Sequence, residues 1–178
     1  IASGAIEKLN EHEAAEAAIG TNLITAAIIG IKPAARVTTV KPSGTSSLVV
    51  GSSSGIHGWH APYYLRRMRF GKDETIYKYL RKTIPALVED EVFRPETQAV
   101  IGIPQKAPQS ATYRTEPVTN LLERVSRYNR NWVGNGHRVG DNHNNVSVTV
   151  SIRDDEWDLV GEWTWNNRED YNGISVLP

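Results

Sequence analysis

Apolar and polar positions change their spacing several times along the chain, and the first pattern predicts a helix. Residues 5–29 are rich in alanine and glutamate, and the second half of this segment is apolar on nearly every side. Such a composition predicts a long helix whose second half is buried. Gly30, with Pro33 beyond it, predicts the end of this helix.

Patterns typical of β-strands occur in five segments. Residues 144–152 (NNVSVTVSI) alternate between branched apolar and hydroxyl side chains, which predicts a strand with one apolar and one hydroxyl face. Residues 98–104 are almost continuously apolar, which predicts a strand buried on both faces, as in a parallel sheet. The β-branched residues 36–41 and the aromatic-rich residues 63–70 predict two more strands, and a final strand is expected to start near Gly173.

Three further helices are expected between these strands. Asp73 can cap a helix that runs to about Thr83, and Thr115 can cap the next one. A last helix, capped by Asp154 or Asp155, is expected to run to about residue 166. In the middle helix one face collects Val118, Leu121, Leu122, Val125 and Trp132. Strands that alternate with helices predict an α/β fold.

The most informative segment is residues 36–55, RVTTVKPSGTSSLVVGSSSG. Its order predicts a strand, a tight turn and the start of a helix. Backbone N–H groups and hydroxyls at such a helix start can converge on an anion, and phosphate is the obvious candidate. The segment matches neither the Walker sequence nor the dinucleotide fingerprint. An ordinary serine- and glycine-rich turn that caps a helix is the alternative.

Histidines form two groups that could hold a metal ion. His57 and His60 are three residues apart, and His137 and His143 flank Asp141. Glycines around both groups indicate loops rather than a preformed site, and the sequence has neither an H-E-x-x-H motif nor a cysteine. We therefore expect no metal.

Two other polar clusters have both a functional and a structural interpretation. Arg66, Arg67 and Arg69 could hold a phosphate or a partner's carboxylate, but a solvated or salt-bridged strand edge is favoured. The asparagine-rich residues 129–145 could face a ligand or could equally form a structural loop through side-chain to backbone hydrogen bonds. The five tryptophans are expected to fill core or interface.

Composition limits the classes of protein that the chain can represent. It has 178 residues, which suits one ordinary domain, and a formal net charge of +0, which argues against nucleic-acid binding through bulk positive charge. No apolar run approaches the length of a membrane span, and we expect a cytoplasmic protein that does not bind membranes. The absence of cysteine excludes disulfides, thiolate metal sites and a cysteine nucleophile in this chain.

The two ends of the sequence suggest a segment of a larger protein. Residue 1 is Ile rather than Met, and residues 171–178 read as a turn followed by the start of a strand. We expect further sequence on at least one side.

Four long strings together resemble the adenosylcobalamin-dependent (class II) ribonucleotide reductases. They are VTTVKPSGTSSLVVGSSSGIH, APYYLRRMRF, GHRVGDNHNNVSVTVS and EWTWNNREDYNGISVLP. The resemblance covers nearly the whole chain and is closest to the monomeric ribonucleoside-triphosphate reductase type. It implies that residues 1–178 are a single fragment of the catalytic domain, the incomplete C-terminal part of a ten-stranded α/β barrel.

The resemblance also implies a function and its partners. The full enzyme would reduce the 2′-carbon of a ribonucleoside triphosphate or diphosphate by radical chemistry, with adenosylcobalamin as cofactor, thioredoxin as reductant and the remainder of the reductase chain as partner. The loop that matches the family's substrate-phosphate site consists of Pro42, Ser43, Gly44, Thr45 and Ser46. Lys41 would add charge nearby.

The chain departs from the family where the redox chemistry lies. The radical cysteine, which the family carries in an Asn-Pro-Cys-Gly-Glu-like motif, and both cysteine pairs that carry electrons are absent. We therefore expect no catalytic residue within this chain and no activity of the fragment alone. Two alternatives stay open: a non-catalytic split-gene piece that completes a barrel with another chain, and a stand-alone phosphate-binding module.

Overall fold

A computed structural model describes residues 1–44 and 46–178 as two compact units. The first comprises Ile1–Trp59 and Ser110–Pro178, and the second comprises His60–Gln109. The helices are α1 (Glu11–Ile29), α2 (Ser46–Val49), α3 (Thr75–Thr83), α4 (Val118–Tyr128) and α5 (Trp157–Asn166), with a 3₁₀ turn at Pro85–Leu87 and a π-helix at Asn129–Gly134. The strands are β1 (Tyr63–Gly71), β2 (Val88–Asp90), β3 (Gln98–Lys106), β4 (Thr149–Ser151) and β5 (Ser175–Leu177).

The second unit is built on a three-stranded antiparallel sheet in the order β1-β3-β2. The strand predicted over residues 63–70 is confirmed as β1, and the one over residues 98–104 as β3. The prediction that β3 lies in a parallel sheet with both faces buried is wrong. Ala99 and Ile101 are buried, but Val100, Gly102 and Ile103 are partly exposed. The apolar run reflects a central position between two antiparallel neighbours rather than burial on both faces.

Helix α1 begins and ends at signals that the sequence contains. The Asn10 side chain accepts hydrogen bonds from the backbone N–H groups of His12 and Glu13, and so caps the first turn. Gly30 ends the helix in the left-handed conformation (φ 74°), as predicted, and its N–H bonds to the Ala26 carbonyl. The predicted helix is therefore confirmed from residue 11 onward.

The second half of α1 is not buried as the sequence predicts. Ile24, Ile28 and Ile29 are 65%, 77% and 60% exposed, and Ala26 is the buried residue of this half. A helix that is apolar on nearly every side can bury one stripe against the described residues, and its other sides face outward.

The core of the first unit lies between α4, α5 and the segment that contains β4. The predicted alternation of residues 144–152 is confirmed, since its apolar side chains are buried: Val146, Val148, Val150 and Ile152. They pack with Val118, Leu122 and Val125 of α4 and with Val160 and Trp163 of α5. Only the three residues of β4 form a regular ladder, which is parallel to β5. The strand expected near Gly173 is thereby confirmed.

Residues 36–41 do not form the regular strand that their β-branched side chains predict. They make two isolated bridges, from Arg36 to His137 and from Val40 to Val146. The partners lie about a hundred residues further along the chain, and no continuous ladder of main-chain hydrogen bonds joins them over the described residues.

The predicted N-caps of the later helices are wrong by one or two residues. Helices α3, α4 and α5 follow Glu74, Pro117 and Glu156 instead of Asp73, Thr115 and Asp154 or Asp155. Two of these residues bond to the backbone three positions earlier. The Glu74 carboxylate accepts a hydrogen bond from the N–H of Gly71, and the Glu156 carboxylate accepts one from the N–H of Arg153.

The described residues have α/β content, but their strands form sheets of three and two and no closed barrel. None of the helices in residues 1–44 and 46–178 combines the length and apolarity that crossing a membrane requires.

Candidate functional site: the serine loop

Residues 42–55, which we call the serine loop, fold back on themselves through serine hydroxyls. The backbone N–H of Ser47 donates to Ser43 Oγ over 2.9 Å, and Ser47 Oγ donates to the Ser43 carbonyl over 3.0 Å. Ser54 Oγ donates to the same carbonyl over 2.9 Å. Ser43 is therefore the centre of the loop, and both arms of the loop bond to it.

Gly55 closes the base of the loop. Its φ of +61° lies in the left-handed region, and a Cβ at this position would lie 2.8 Å from the Lys41 carbonyl oxygen. A side chain here would meet both backbone strain and a steric clash. The close return of residue 55 to residue 41 thus depends on glycine.

The helix that follows the turn is only one turn long, Ser46–Val49. A single turn supplies little of the macrodipole that a longer helix would direct at an anion. The case for an anion site therefore depends on the hydroxyls and backbone N–H groups of the loop itself.

Two of the predicted ligands lie side by side. Ser43 Oγ and Ser46 Oγ are 2.5 Å apart and share a hydrogen bond. This contact uses one of their two O–H hydrogens, so the other is directed elsewhere and can donate to a ligand. Ser46 is exposed, whereas Ser43 is half-buried.

The other predicted ligands are exposed or outside the description. Pro42 and Gly44 are exposed at the start of the loop. Thr45 lies outside the described residues. The exposed Lys41 points its ammonium at Asn145, and Nζ donates to Oδ1 over 2.7 Å. This bond fixes a cation at the base of the serine loop.

The serine loop forms one wall of a cavity of about 510 Å³, a size typical of small-molecule sites. The polar wall consists of Lys41, Ser43, Ser46, Ser47, Ser52 and Ser53. The apolar part of the lining includes Ile6, Leu9, Val50 and Trp132. Ser53 Oγ is shielded from solvent and has no hydrogen-bond partner among the described residues. This hydroxyl can bond to a ligand without losing another contact.

One acidic group also lines this cavity. Glu11 is buried and its carboxylate pairs with Arg127, with 2.5 Å between Oε1 and Nη2. Burial raises the pKa of the neighbouring Tyr128, and the Glu11 carboxylate raises it further. Because Glu11 has its own cation, its charge is compensated within the cavity wall.

The segment before the loop is held by side-chain contacts in place of a ladder. Thr38 Oγ1 donates to the Trp132 carbonyl over 2.7 Å, and Trp132 Nε1 donates to the Thr39 carbonyl over 3.2 Å. Asn144 Nδ2 donates to the Thr38 carbonyl over 2.9 Å. Gly136 makes room for this arrangement, because a Cβ there would lie 1.8 Å from Thr38 Oγ1.

The asparagine-rich residues make the contacts of a structural loop. Besides the bond from Asn144, Asn135 Nδ2 donates to the carbonyls of Arg130 and Asn131. Part of this segment forms the π-helix, which the sequence analysis missed. Such wide turns occur frequently at functional sites, but asparagine and glycine density alone does not distinguish them from loops.

The candidate metal residues bond to the backbone. His57 contacts the Ser54 carbonyl and the Thr149 N–H, His137 contacts the Gly140 carbonyl, and His143 contacts the Asn144 carbonyl. Within the described part of the chain, no three His, Cys, Asp or Glu side chains are grouped as metal ligands.

The arginines of β1 form ion pairs across the sheet. Arg67 pairs with Glu89 (2.5 Å) and Arg69 with Glu91 (3.2 Å), as expected of a salt-bridged edge. Gly102 stands opposite Arg67 on the central strand and leaves the long side chain room to reach β2.

Sequence reasoning missed Ser53 and Ser54, and it considered His57 only as a metal ligand. All three take part in the loop, its cavity or its support. The triplet of serines at residues 52–54 was the available signal, since it repeats the hydroxyl density of the first arm.

Comparison with known structures assigns the fold. The chain superimposes with a TM-score of 0.71 on the crystal structure of a B12-dependent (class II) ribonucleotide reductase, over 98% of this chain and 23% of that one, at 22% sequence identity. The described residues thus have the fold of part of a class II reductase.

Curated sequences give the same family. The adenosylcobalamin-dependent ribonucleoside-triphosphate reductase of Euglena gracilis is 33% identical over 150 residues, 83% of this chain. That of Levilactobacillus brevis is 28% identical over 150 residues, 84% of this chain. No protein-family profile matches the chain.

The chain is a homologue of the adenosylcobalamin-dependent ribonucleotide reductases, which confirms the resemblance seen in the sequence. It covers 19% of the length of each of these two relatives, about a fifth.

Proposed function

We propose that the chain is a segment of the catalytic barrel of an adenosylcobalamin-dependent ribonucleotide reductase, and that the serine loop binds the phosphates of the ribonucleotide. One observation carries this proposal. The loop and the lysine before it present a hydroxyl pair, a shielded hydroxyl without a partner among the described residues and a fixed ammonium along one wall of a cavity of small-molecule size. Hydrogen bonds from such donors to a charged phosphate are among the stronger ones in proteins.

Each residue has a specific role in this proposal. The contact between Ser43 and Ser46 uses one of their two hydroxyl hydrogens, and the other hydrogen donates to the phosphate. Thr45 adds a third hydroxyl. Pro42 and Gly44 shape the turn so that backbone N–H groups face the phosphate. Lys41 contributes positive charge from the base of the loop. The substrate is a ribonucleoside triphosphate or diphosphate.

The reductive chemistry is assigned to the rest of the enzyme. This chain has no cysteine and so no thiol that could form a radical or carry electrons. We propose that other parts of the reductase supply these thiols, with thioredoxin as the reductant, and that this segment binds and orients the substrate.

Adenosylcobalamin, on which the relatives depend, does not fit the cavity beside the serine loop. A volume of about 510 Å³ suits a drug-sized molecule, whereas a cobalamin is far larger. We assign no described residue to the cofactor. When bound elsewhere in the enzyme, it would supply the radical that starts the reaction.

Removing hydroxyls from the loop tests the proposal in the full-length protein. Thr45→Val and Ser46→Ala should each weaken binding of a ribonucleoside triphosphate by about 1–3 kcal/mol, because a hydrogen bond to a charged group is lost. Equilibrium dialysis with labelled nucleotide measures the change. Ser110→Ala is the matched control, since Ser110 Oγ bonds to the Ser3 carbonyl away from the loop.

Unchanged affinity in both loop variants would reject the phosphate role. A stand-alone phosphate-binding module would show the same loss of affinity, but no ribonucleotide reduction when the remaining reductase segments are present. A split-gene piece that only completes a barrel would show no loss on either substitution.

A further inference from the structure

We propose that His57 is a positioning residue that fixes the serine loop in its phosphate-binding shape, and that it does so only while its ring is neutral. This inference rests on the proposed function of the loop. His57 lies three positions beyond the last serine of the loop and is not one of the predicted phosphate ligands.

The imidazole of His57 joins the loop to strand β4. Nδ1 lies 3.0 Å from the Ser54 carbonyl oxygen, and the backbone N–H of His57 donates to the same oxygen over 3.2 Å. On the other side of the ring, the Thr149 backbone N–H donates to Nε2 over 3.0 Å. The ring is half-buried between these two partners.

These contacts determine the tautomer. Because the Thr149 N–H is a donor, Nε2 must carry a lone pair and no hydrogen. The hydrogen of the neutral ring is then on Nδ1 and donates to the Ser54 carbonyl. Each ring nitrogen therefore has a single role that the backbone imposes.

A continuous series of hydrogen bonds leads from the ring to the proposed phosphate ligands. Ser54, which His57 holds, donates its Oγ hydrogen to the Ser43 carbonyl over 2.9 Å. Ser43 Oγ in turn pairs with Ser46 Oγ at 2.5 Å. A shift of the Ser54 backbone would therefore move the hydroxyl pair.

Protonation would break the bond that anchors the ring to β4. A hydrogen on Nε2 would face the hydrogen of the Thr149 N–H, and two donors cannot share a contact of 3.0 Å. The charged groups on the same cavity as His57 are Arg114 and Glu116, and the Glu116 carboxylate is already paired with Arg124. Acidification should therefore loosen the loop and weaken phosphate binding.

Simple electrostatics predicts the opposite sign. A cationic imidazole next to the loop would attract phosphate and raise affinity at low pH. The direction of the pH dependence thus separates a positioning role from a direct charge interaction.

The test compares wild type with His57→Gln in the full-length protein. The glutamine amide oxygen can accept from the Thr149 N–H and does not titrate. Nucleotide affinity is measured at pH 8 and pH 6, across the range in which histidines commonly titrate. We expect wild-type affinity to fall roughly tenfold more than that of the variant, the equivalent of one hydrogen bond. Titration of the nucleotide phosphates affects both proteins equally and cancels in this ratio.

Two outcomes would overturn the inference: equal pH profiles in the two proteins, or a wild-type affinity that rises on acidification relative to the variant. Neither depends on the phosphate role itself, which fails only if wild type does not bind or if Thr45→Val and Ser46→Ala both bind as tightly as wild type.

A second measurement does not require the variant to fold. In protein labelled with ¹⁵N-histidine, the ring of His57 should show the Nδ1–H tautomer at pH 8. An Nε2–H tautomer at that pH would contradict the proposed geometry.

Discussion

The sheet of the second unit and the segment that leads into the serine loop both begin from runs of apolar and β-branched residues, yet only the sheet forms a regular ladder. Strands β1 and β3 pair over nine residues each, from Tyr63 opposite Lys106 to Gly71 opposite Gln98. Residues 36–40 make two isolated bridges and rely on hydrogen bonds between side chains and backbone.

This difference shows which interactions hold each region in its conformation. In the sheet, main-chain hydrogen bonds repeat along the strands, so no single side chain is essential. Next to the serine loop, order depends on a few close contacts such as those of Thr38 and Gly55. Small substitutions should therefore have large effects beside the serine loop and small ones in the sheet.

The largest effect is expected at Gly136. In Gly136→Ala the new methyl group would overlap the buried Thr38 side chain, which cannot move without losing its bond to the Trp132 carbonyl. We expect a loss of about 3 kcal/mol in the free energy of unfolding, at the upper end of overpacking effects. Urea denaturation of the full-length protein, followed by tryptophan fluorescence, measures it.

Gly161→Ala is the control for this substitution. Gly161 lies inside α5, and a Cβ there has no atom within 4 Å. Alanine should stabilise this helix by roughly 0.5–1 kcal/mol. If both variants shifted stability in the same direction, the packing around Thr38 would not be the reason.

A smaller and more local effect is expected at the base of the loop. Gly51 and Gly55 share the same φ of +61°, but only a Cβ at residue 55 would contact the Lys41 carbonyl, at 2.8 Å. Gly51→Ala should cost about 1 kcal/mol from backbone strain alone, and Gly55→Ala about 2 kcal/mol. Thermal unfolding of the two variants measures the difference.

The same two variants also test the proposed phosphate site of the serine loop. Nucleotide affinity should fall in Gly55→Ala, because the base of the loop opens, and stay near the wild-type value in Gly51→Ala. Equal losses of stability and affinity in the two variants would show that closure at Lys41 does not matter.

Sequence patterns predicted the features that depend on nearby residues. The alternation of residues 144–152 predicted their buried face. Gly30 predicted the end of α1, and the end of α3 was correctly expected near Thr83. The hydroxyl-rich turn was visible as a candidate site because its residues are consecutive.

What the sequence could not show depends on distant partners. The irregular pairing of residues 36–40 and the role of His57 arise from contacts with residues some ninety to a hundred positions away. The exposure of Ile24 and Ile28 depends on what surrounds α1, which local composition does not determine. The predicted N-caps failed because more than one polar residue precedes each helix, and short-range geometry selects where the helix begins.

The smallest effect is expected in the sheet, at the ion pair between Arg67 and Glu89. The hydrogen bond and charge of the guanidinium hold the pKa of the Glu89 carboxyl below its usual value of 4.5. A lowered pKa in the folded state means that the pair stabilises the sheet above about pH 4.5, and that this contribution disappears as the pH falls through the folded-state pKa. Because both side chains are largely exposed, solvent and salt weaken the pair.

Glu89→Gln should therefore lower the urea midpoint slightly at pH 7, and the difference from wild type should shrink as the pH falls below 4.5 and in 1 M NaCl. Glu162→Gln, which removes an exposed acid of α5 without an ion pair among the described residues, corrects for the change in net charge. A loss in Glu89→Gln as large as that in Gly136→Ala would remove the contrast between the two regions, because a single side chain would then matter as much in the regular ladder as beside the serine loop.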